Sequence, residues 1–220
     1  MCGIAGWVDW KRDLTLYPSI IETMLETLTP CGPETTGIWM TNSCALGHRS
    51  VRENRAQTVY REEGESAYCI VFSGALSNAS DLRIDLEKIG YEFHIDSDAE
   101  VLLVSYIEWG HVCVERLEGS IAFAVWHERE QSLFAARDLR GGEPLYYCRL
   151  ENGILFSSEK KVLLMHPYVD VDRADAGLRY GVDLEELQAG HNLIFTYGGL
   201  NIRPYARAGG SSEIEPGSFA

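Results

Sequence analysis

Apolar residues follow two rhythms along this chain. GIAGWVDW, residues 3–10, is apolar, aromatic and rich in small residues, and it predicts a strand. PSIIETMLETL then places Ile20, Ile21, Met24, Leu25 and Leu28 on one helical face, and Pro30, Gly32 and Pro33 stop the helix. TGIWM and SCALGHR flank Thr41–Asn42 and predict a hairpin. AYCIVFSG is an almost unbroken apolar run, expected of a strand buried on both faces, and it runs into the turn-rich SGALSNAS.

Two helices are expected next. DLRIDLEKIG has Gly90 as its stop, and SDAEVLLVSYIEWG pairs Ser97 with Glu100 at capping-box spacing and closes at Gly110. IAFAVWHE, QSLFAARD, PLYYCRL and GILFSSE follow as four strands, and NLIFTYGG with LNIRPYA forms a last hairpin. Strands first, helices in the middle and a strand meander afterwards predict an α+β sandwich of two sheets covered by helices, not a βαβ parallel fold. The domain is expected over residues 1–207, with GGSSEIEPGSFA in a loose 208–220 tail.

Composition narrows the function. At 220 residues a folded chain buries roughly 70% of the surface that its unfolded form exposes. A net charge of −14 argues against a nucleic-acid binder or a polybasic membrane-surface protein. The six cysteines (Cys2, Cys31, Cys44, Cys69, Cys113, Cys148) include no CxxC pair, and the six histidines show no metal-ligand spacing. No secretion signal and no stretch of membrane-span length is evident, so a cytoplasmic protein with reduced thiols and no metal is expected.

The chemistry of interest sits at the very start. Cys2 follows the initiator methionine. It is either a small buried residue of the first strand or, once Met1 is removed, a thiol and an α-amine on one carbon. Other motifs follow in order: GHR, SGALSN, SDAEVLL, LEGSIAFAVW, LFAARD, PLYY, FSSEKKVLL and LQAGH. Together they resemble the glutaminase half of glutamine-dependent asparagine synthetases, from Met1 to about Arg207. That half is a class II glutamine amidotransferase domain with the four-layer αββα sandwich of the N-terminal-nucleophile hydrolases.

The resemblance implies that Cys2 attacks the side-chain amide of glutamine, with its own α-amine as general base and no cofactor. It implies that Arg49 clamps the α-carboxylate, that Asp98 holds the α-ammonium, and that Gly74 supplies an oxyanion N–H. Ammonia would pass to a synthetase-like partner. Each residue also has a plainer reading. Arg49 could be a surface arginine at a hairpin end, Asp98 a carboxylate favoured by a helix N-terminus, and Ser73–Gly74 a tight turn.

Several positions depart from the family pattern. Ser73 replaces an asparagine that donates to the oxyanion, and Ala75 replaces a glutamate at the ammonium site. PCGPE replaces a His-Arg-Gly-Pro-Asp pattern, Ala99 a threonine, and Glu143 a lysine. No Ser-Gly-Gly-x-Asp-Ser pyrophosphate loop occurs. Three readings follow: a stand-alone glutaminase-type domain, a catalytically degenerate relic used for docking or regulation, or an amidase for a substrate that is not an amino acid.

Overall fold

The computed structural model describes residues 3–28, 35–50, 57–169 and 183–205. Cys2, Pro30, Cys31 and the expected 208–220 tail lie outside the described residues.

Among the described residues, twelve strands form two six-stranded sheets, and every recorded neighbour pair is antiparallel. β1 (Gly3–Asp9), β2 (Thr35–Met40) and β3 (Cys44–Ser50) belong to the first sheet. So do β8 (Tyr146–Leu150), β9 (Gly153–Ser157) and β10 (Leu184–Glu186), and the order is β10-β8-β9-β1-β3-β2. The second sheet holds β4 (Thr58–Glu63), β5 (Ser66–Leu76), β6 (Gly119–His127), β7 (Ser132–Arg137), β11 (His191–Thr196) and β12 (Gly199–Pro204). Its order is β12-β11-β7-β6-β5-β4.

Alternation along the strands builds the layers. Ile4, Val8, Leu46 and Phe156 point from the first sheet onto Cys69, Val71, Trp126 and Leu193 of the second, forming the central core. The residues between them point outward. Ala5, Trp7 and Leu155 meet α1 (Pro18–Thr27) and α4 (Lys160–Leu164). Ile70, Phe72, Phe123 and Phe134 form a core with α2 (Ala79–Lys88) and α3 (Asp98–Trp109). The result is the αββα sandwich that the motifs implied. Burying one such Leu, Phe or Ile contributes roughly 1.5–3 kcal/mol, so the layering follows from the period-2 pattern itself.

α3 begins as its sequence predicts: the Ser97 hydroxyl accepts the Glu100 N–H at 3.2 Å. The other half of the capping box differs, because the Glu100 carboxylate turns to the N–H groups of His94 and Ile95, at 2.9 and 2.7 Å. It thereby fixes the incoming loop rather than the cap residue. The run expected to turn at SGALSNAS instead stays in strand through Leu76, because β5 pairs with β6 as far as Leu76↔Gly119.

His48 ties the two sheets together, with Nδ1 2.7 Å from Thr58 Oγ1 of β4. Burial pulls His48 and His166 from the usual 6.5 down to about 4. Both stay neutral in the folded chain, while the unfolded chain takes up protons below about pH 6.5. Stability should therefore be complete above that pH and fall as pH drops toward 4, by up to about 3 kcal/mol for each histidine. Denaturant midpoints at pH 7 and pH 5, above the main carboxylate range, should show the loss. Equal midpoints would contradict it.

Candidate active site

β5 carries two of the candidate residues to one place. After Cys69 and Val71, Ser73 is the next side chain on the inter-sheet face, and it is fully buried. Gly74 has φ +112°, and a Cβ there would stand 2.0 Å from the Ser120 carbonyl oxygen. Only glycine lets β5 bend this close to β6. Two residues on, the Leu76 N–H donates to Asp98 Oδ2 at 3.0 Å. Asp98, first residue of α3, is thus anchored to the end of the Ser73–Leu76 segment as well as to its helix.

The β7–β8 loop closes over this segment. Glu143 Oε2 accepts the Ser73 hydroxyl at 2.8 Å, across 70 positions of sequence. Arg137 holds the loop from within: Nε donates to Glu143 O at 2.7 Å and Nη2 to Gly141 O at 2.8 Å. Its Nη1 donates to Leu187 O at 2.8 Å and to Glu186 Oε1 at 2.6 Å. Asp138 adds a tight turn, accepting from Arg140 N at 2.8 Å and Gly141 N at 2.9 Å. Glu143 is therefore delivered by a braced loop. The sequence marked it only as a departure from a family lysine; a contact so distant along the chain left no local signal.

The start of β1 is tied to the start of β8 through β9. Ser158 Oγ accepts the Ile4 N–H at 3.0 Å, Ser157 Oγ donates to Ile4 O at 3.1 Å, and Tyr146 pairs with Ser157. Cys2 precedes β1, so its thiol lies outside the described residues.

The described cysteines make poor nucleophiles. Cys44, Cys69, Cys113 and Cys148 are free and buried, and burial pushes every thiol upward, that of Cys148 to about 12.

Arg49 is placed differently from Ser73, Gly74 and Asp98. In β3, Gly47 faces Leu25 of α1, His48 faces Thr58 of the opposite sheet, and Arg49 turns back toward α1. Its Nη1 donates to the carbonyls of Leu25 at 3.3 Å, Glu26, and Leu28 at 3.2 Å. A cation on the last carbonyls of a helix stabilises that end. Arg49→Ala should cost about 1–3 kcal/mol, the worth of hydrogen bonds from a charged group, and lower Tm by several degrees. An unchanged melting curve would contradict this role.

Among the described residues, no group of three or more His, Cys, Asp or Glu could hold a metal ion, and no helix is long and apolar enough to cross a membrane. A cavity of about 470 Å³ adjoins Ser120 and Gly142, and neither Ser73, Gly74, Arg49 nor Asp98 lines it.

Comparison with known proteins agrees with this architecture. A family model described as a glutamine amidotransferase domain matches residues 1–206. The chain is 37% identical over 224 residues to asparagine synthetase [glutamine-hydrolyzing] 3 of Bacillus subtilis (strain 168), covering 93% of this chain and 36% of that protein. It is 33% identical to asparagine synthetase [glutamine-hydrolyzing] 1 of the same organism, over 75% of this chain and 27% of that protein. The chain thus spans about a third of these relatives' length.

Among solved structures, the allosteric regulatory enzyme of purine biosynthesis superposes with TM-score 0.71 at 21% identity, over 92% of this chain and 49% of that one. The glutamine PRPP amidotransferase from B. subtilis superposes with TM-score 0.70 at 19% identity, over the same shares. At such identity these two establish the fold. The family match and the first relative establish more: this chain belongs to the glutamine amidotransferase domain family, in its class II form.

Proposed function

We propose that this domain hydrolyses the side-chain amide of glutamine to glutamate and ammonia, with Cys2 as nucleophile. The observation that carries the reading is the family match running from residue 1, with a cysteine at position 2. Once Met1 is removed, the α-amine takes the Cys2 thiol proton as the sulfur attacks the amide carbon and the carbonyl electrons move onto oxygen. The Gly74 N–H receives that oxyanion. As the C–N bond breaks, the α-amine passes a proton to the leaving nitrogen, releasing ammonia and a thioester. The same amine then takes a proton from water, which attacks the thioester carbon and frees glutamate and the thiol. An α-amine with an ordinary pKa near ~7.8 suits both transfers.

Asp98 holds the substrate ammonium in this reading, and Ser73 stands where the second oxyanion donor belongs. Arg49 would clamp the α-carboxylate with its guanidinium group. Arg49→Lys separates the two roles: a raised KM at unchanged Tm supports the clamp, and a lowered Tm at unchanged KM supports the helix cap alone. The glutamine-hydrolysing relatives continue well beyond the region matched here, which supports a synthetase-like unit as ammonia acceptor. Reduced thiols at four described cysteines are compatible with the cytoplasmic location proposed.

One observation favours the second reading, a catalytically degenerate domain used for docking or regulation. The single Ser73 proton is given to Glu143, and a carboxylate beside an oxyanion position opposes charge development there. Incubating the methionine-free chain with glutamine and measuring glutamate and ammonia decides between them. Equimolar products support catalysis, and no product above background supports the degenerate reading.

A further inference from the structure

Glu143 is a half-buried carboxylate whose only recorded side-chain hydrogen bond, among the described residues, is the neutral Ser73 hydroxyl. A carboxylate offers about four acceptor sites, so most of its capacity is unspent. No cation among the described residues forms an ion pair with it. Arg137, which braces the same loop, gives its recorded hydrogen bonds to Glu186 and to the carbonyls of Gly141, Glu143 and Leu187. The side chain lies against Gly74: its Cγ is 3.0 Å from where a Cβ at that position would stand. The next residue is the small, exposed Ala75, and Asp98 anchors the far end of the same segment at Leu76. One short stretch of β5 is thus flanked by two carboxylates carried on separate, braced elements.

We propose that Glu143 is a specificity-determining residue that receives a primary ammonium group of the substrate, so that the domain selects amides of α-amino acids over uncharged amides. The proposal rests on the amidase reading above and deepens it. The Ser73 hydroxyl fixes the orientation of the carboxylate, and the Arg137-held loop fixes its position. Ala75 contributes no charge and leaves space beside the segment, so the charge that a family glutamate supplies at that position would here come from the β7–β8 loop. The chemistry is a charge-assisted hydrogen bond from N⁺–H to carboxylate, which neutralises Glu143 without displacing Ser73.

The test measures equilibrium binding to the Cys2→Ala chain, in which turnover is removed. The ligands are L-glutamine and its desamino counterpart, 5-amino-5-oxopentanoate, which lacks only the ammonium group. L-glutamine should bind at least about tenfold more tightly than the desamino compound. Glu143→Gln should weaken L-glutamine by about 10- to 100-fold and leave the desamino compound unchanged, the loss of one charged hydrogen bond. Glu143→Gln keeps the size of the side chain, and its melting curve should match that of the parent. If the substitution leaves L-glutamine affinity unaltered, or weakens both ligands equally, the assignment to Glu143 is wrong while the amidase reading stands. If the parent binds neither ligand, both fall together.

Discussion

Replacing Cys2 by alanine should reduce glutamate release to background, a loss of at least about 10⁴-fold, with little change in Tm. The size follows from the chemistry. Without sulfur no thioester forms, and water must attack the far less reactive amide directly, with only the α-amine left as a base. Groups that act as one unit lose nearly everything when one member is removed. Because thiol and α-amine share one carbon here, a chain that keeps Met1 should be nearly as impaired, by about 10²–10⁴-fold for the missing base. The two variants differ in one respect: retained Met1 leaves a thiol that alkylates slowly, whereas Cys2→Ala leaves none at this position. Appreciable glutamate release from Cys2→Ala would remove Cys2 from the mechanism, and the four buried, high-pKa cysteines offer no replacement.

Gly74→Ala should damage both stability and turnover. Its backbone lies at φ +112°, which costs an L-residue about 1–3 kcal/mol, and its new Cβ would meet the Ser120 carbonyl oxygen at 2.0 Å. That oxygen belongs to paired backbone, since Ala75 is registered with Ser120 in the β5–β6 ladder. Relief requires the strands to separate or the peptide to rotate, and either change moves the Gly74 N–H. A destabilisation of about 3 kcal/mol or more is expected, lowering Tm by roughly ten degrees. Turnover in the folded fraction should fall by about 10²-fold or more as the proposed oxyanion donor shifts. Thermal unfolding and glutamate release measured on one preparation check both. Parental Tm and rate would show that neither the close approach nor the N–H matters.

The layers and the strongly periodic elements were legible from sequence because each side chain's destination depends on its own neighbours. α3 combines a Ser97 cap, a long apolar body and a Gly110 stop, and it forms as written. β4 and β10 were missed for the opposite reason. β4 is an edge strand with Val59 as its one buried hydrophobic and charges at Arg61, Glu62 and Glu63, so its pattern reads as surface loop. β10 has three residues and owes its place to β8 and to the Arg137–Glu186 pair. α4 is a single short turn-and-a-half held by Val162 and Leu163.

The candidate site was legible as residue types but not as faces. GHR marks Arg49 in the sequence, yet only the register of β3, with Gly47 on α1 and His48 on the other sheet, turns Arg49 toward the helix. A one-residue change of register would reverse it. The sequence marks Ser73 as the replacement of an oxyanion-donating asparagine, whereas the partner that takes its proton comes from a loop 70 positions away. Asp98 shows a third pattern. Helix position and anchoring to β5 coexist in it, so the structural reading and the ligand reading are not exclusive.

Chemistry at a processed amino terminus is the claim on which the rest depends. It is tested most directly by the intact mass of the purified chain before and after exposure to a glutamine analogue carrying an electrophile at the amide carbon. The account predicts a starting mass short by one methionine and a single adduct, mapped to residue 2, whose formation glutamine slows. A chain that retains the methionine, or one that reacts only at other positions and is indifferent to glutamine, would contradict it.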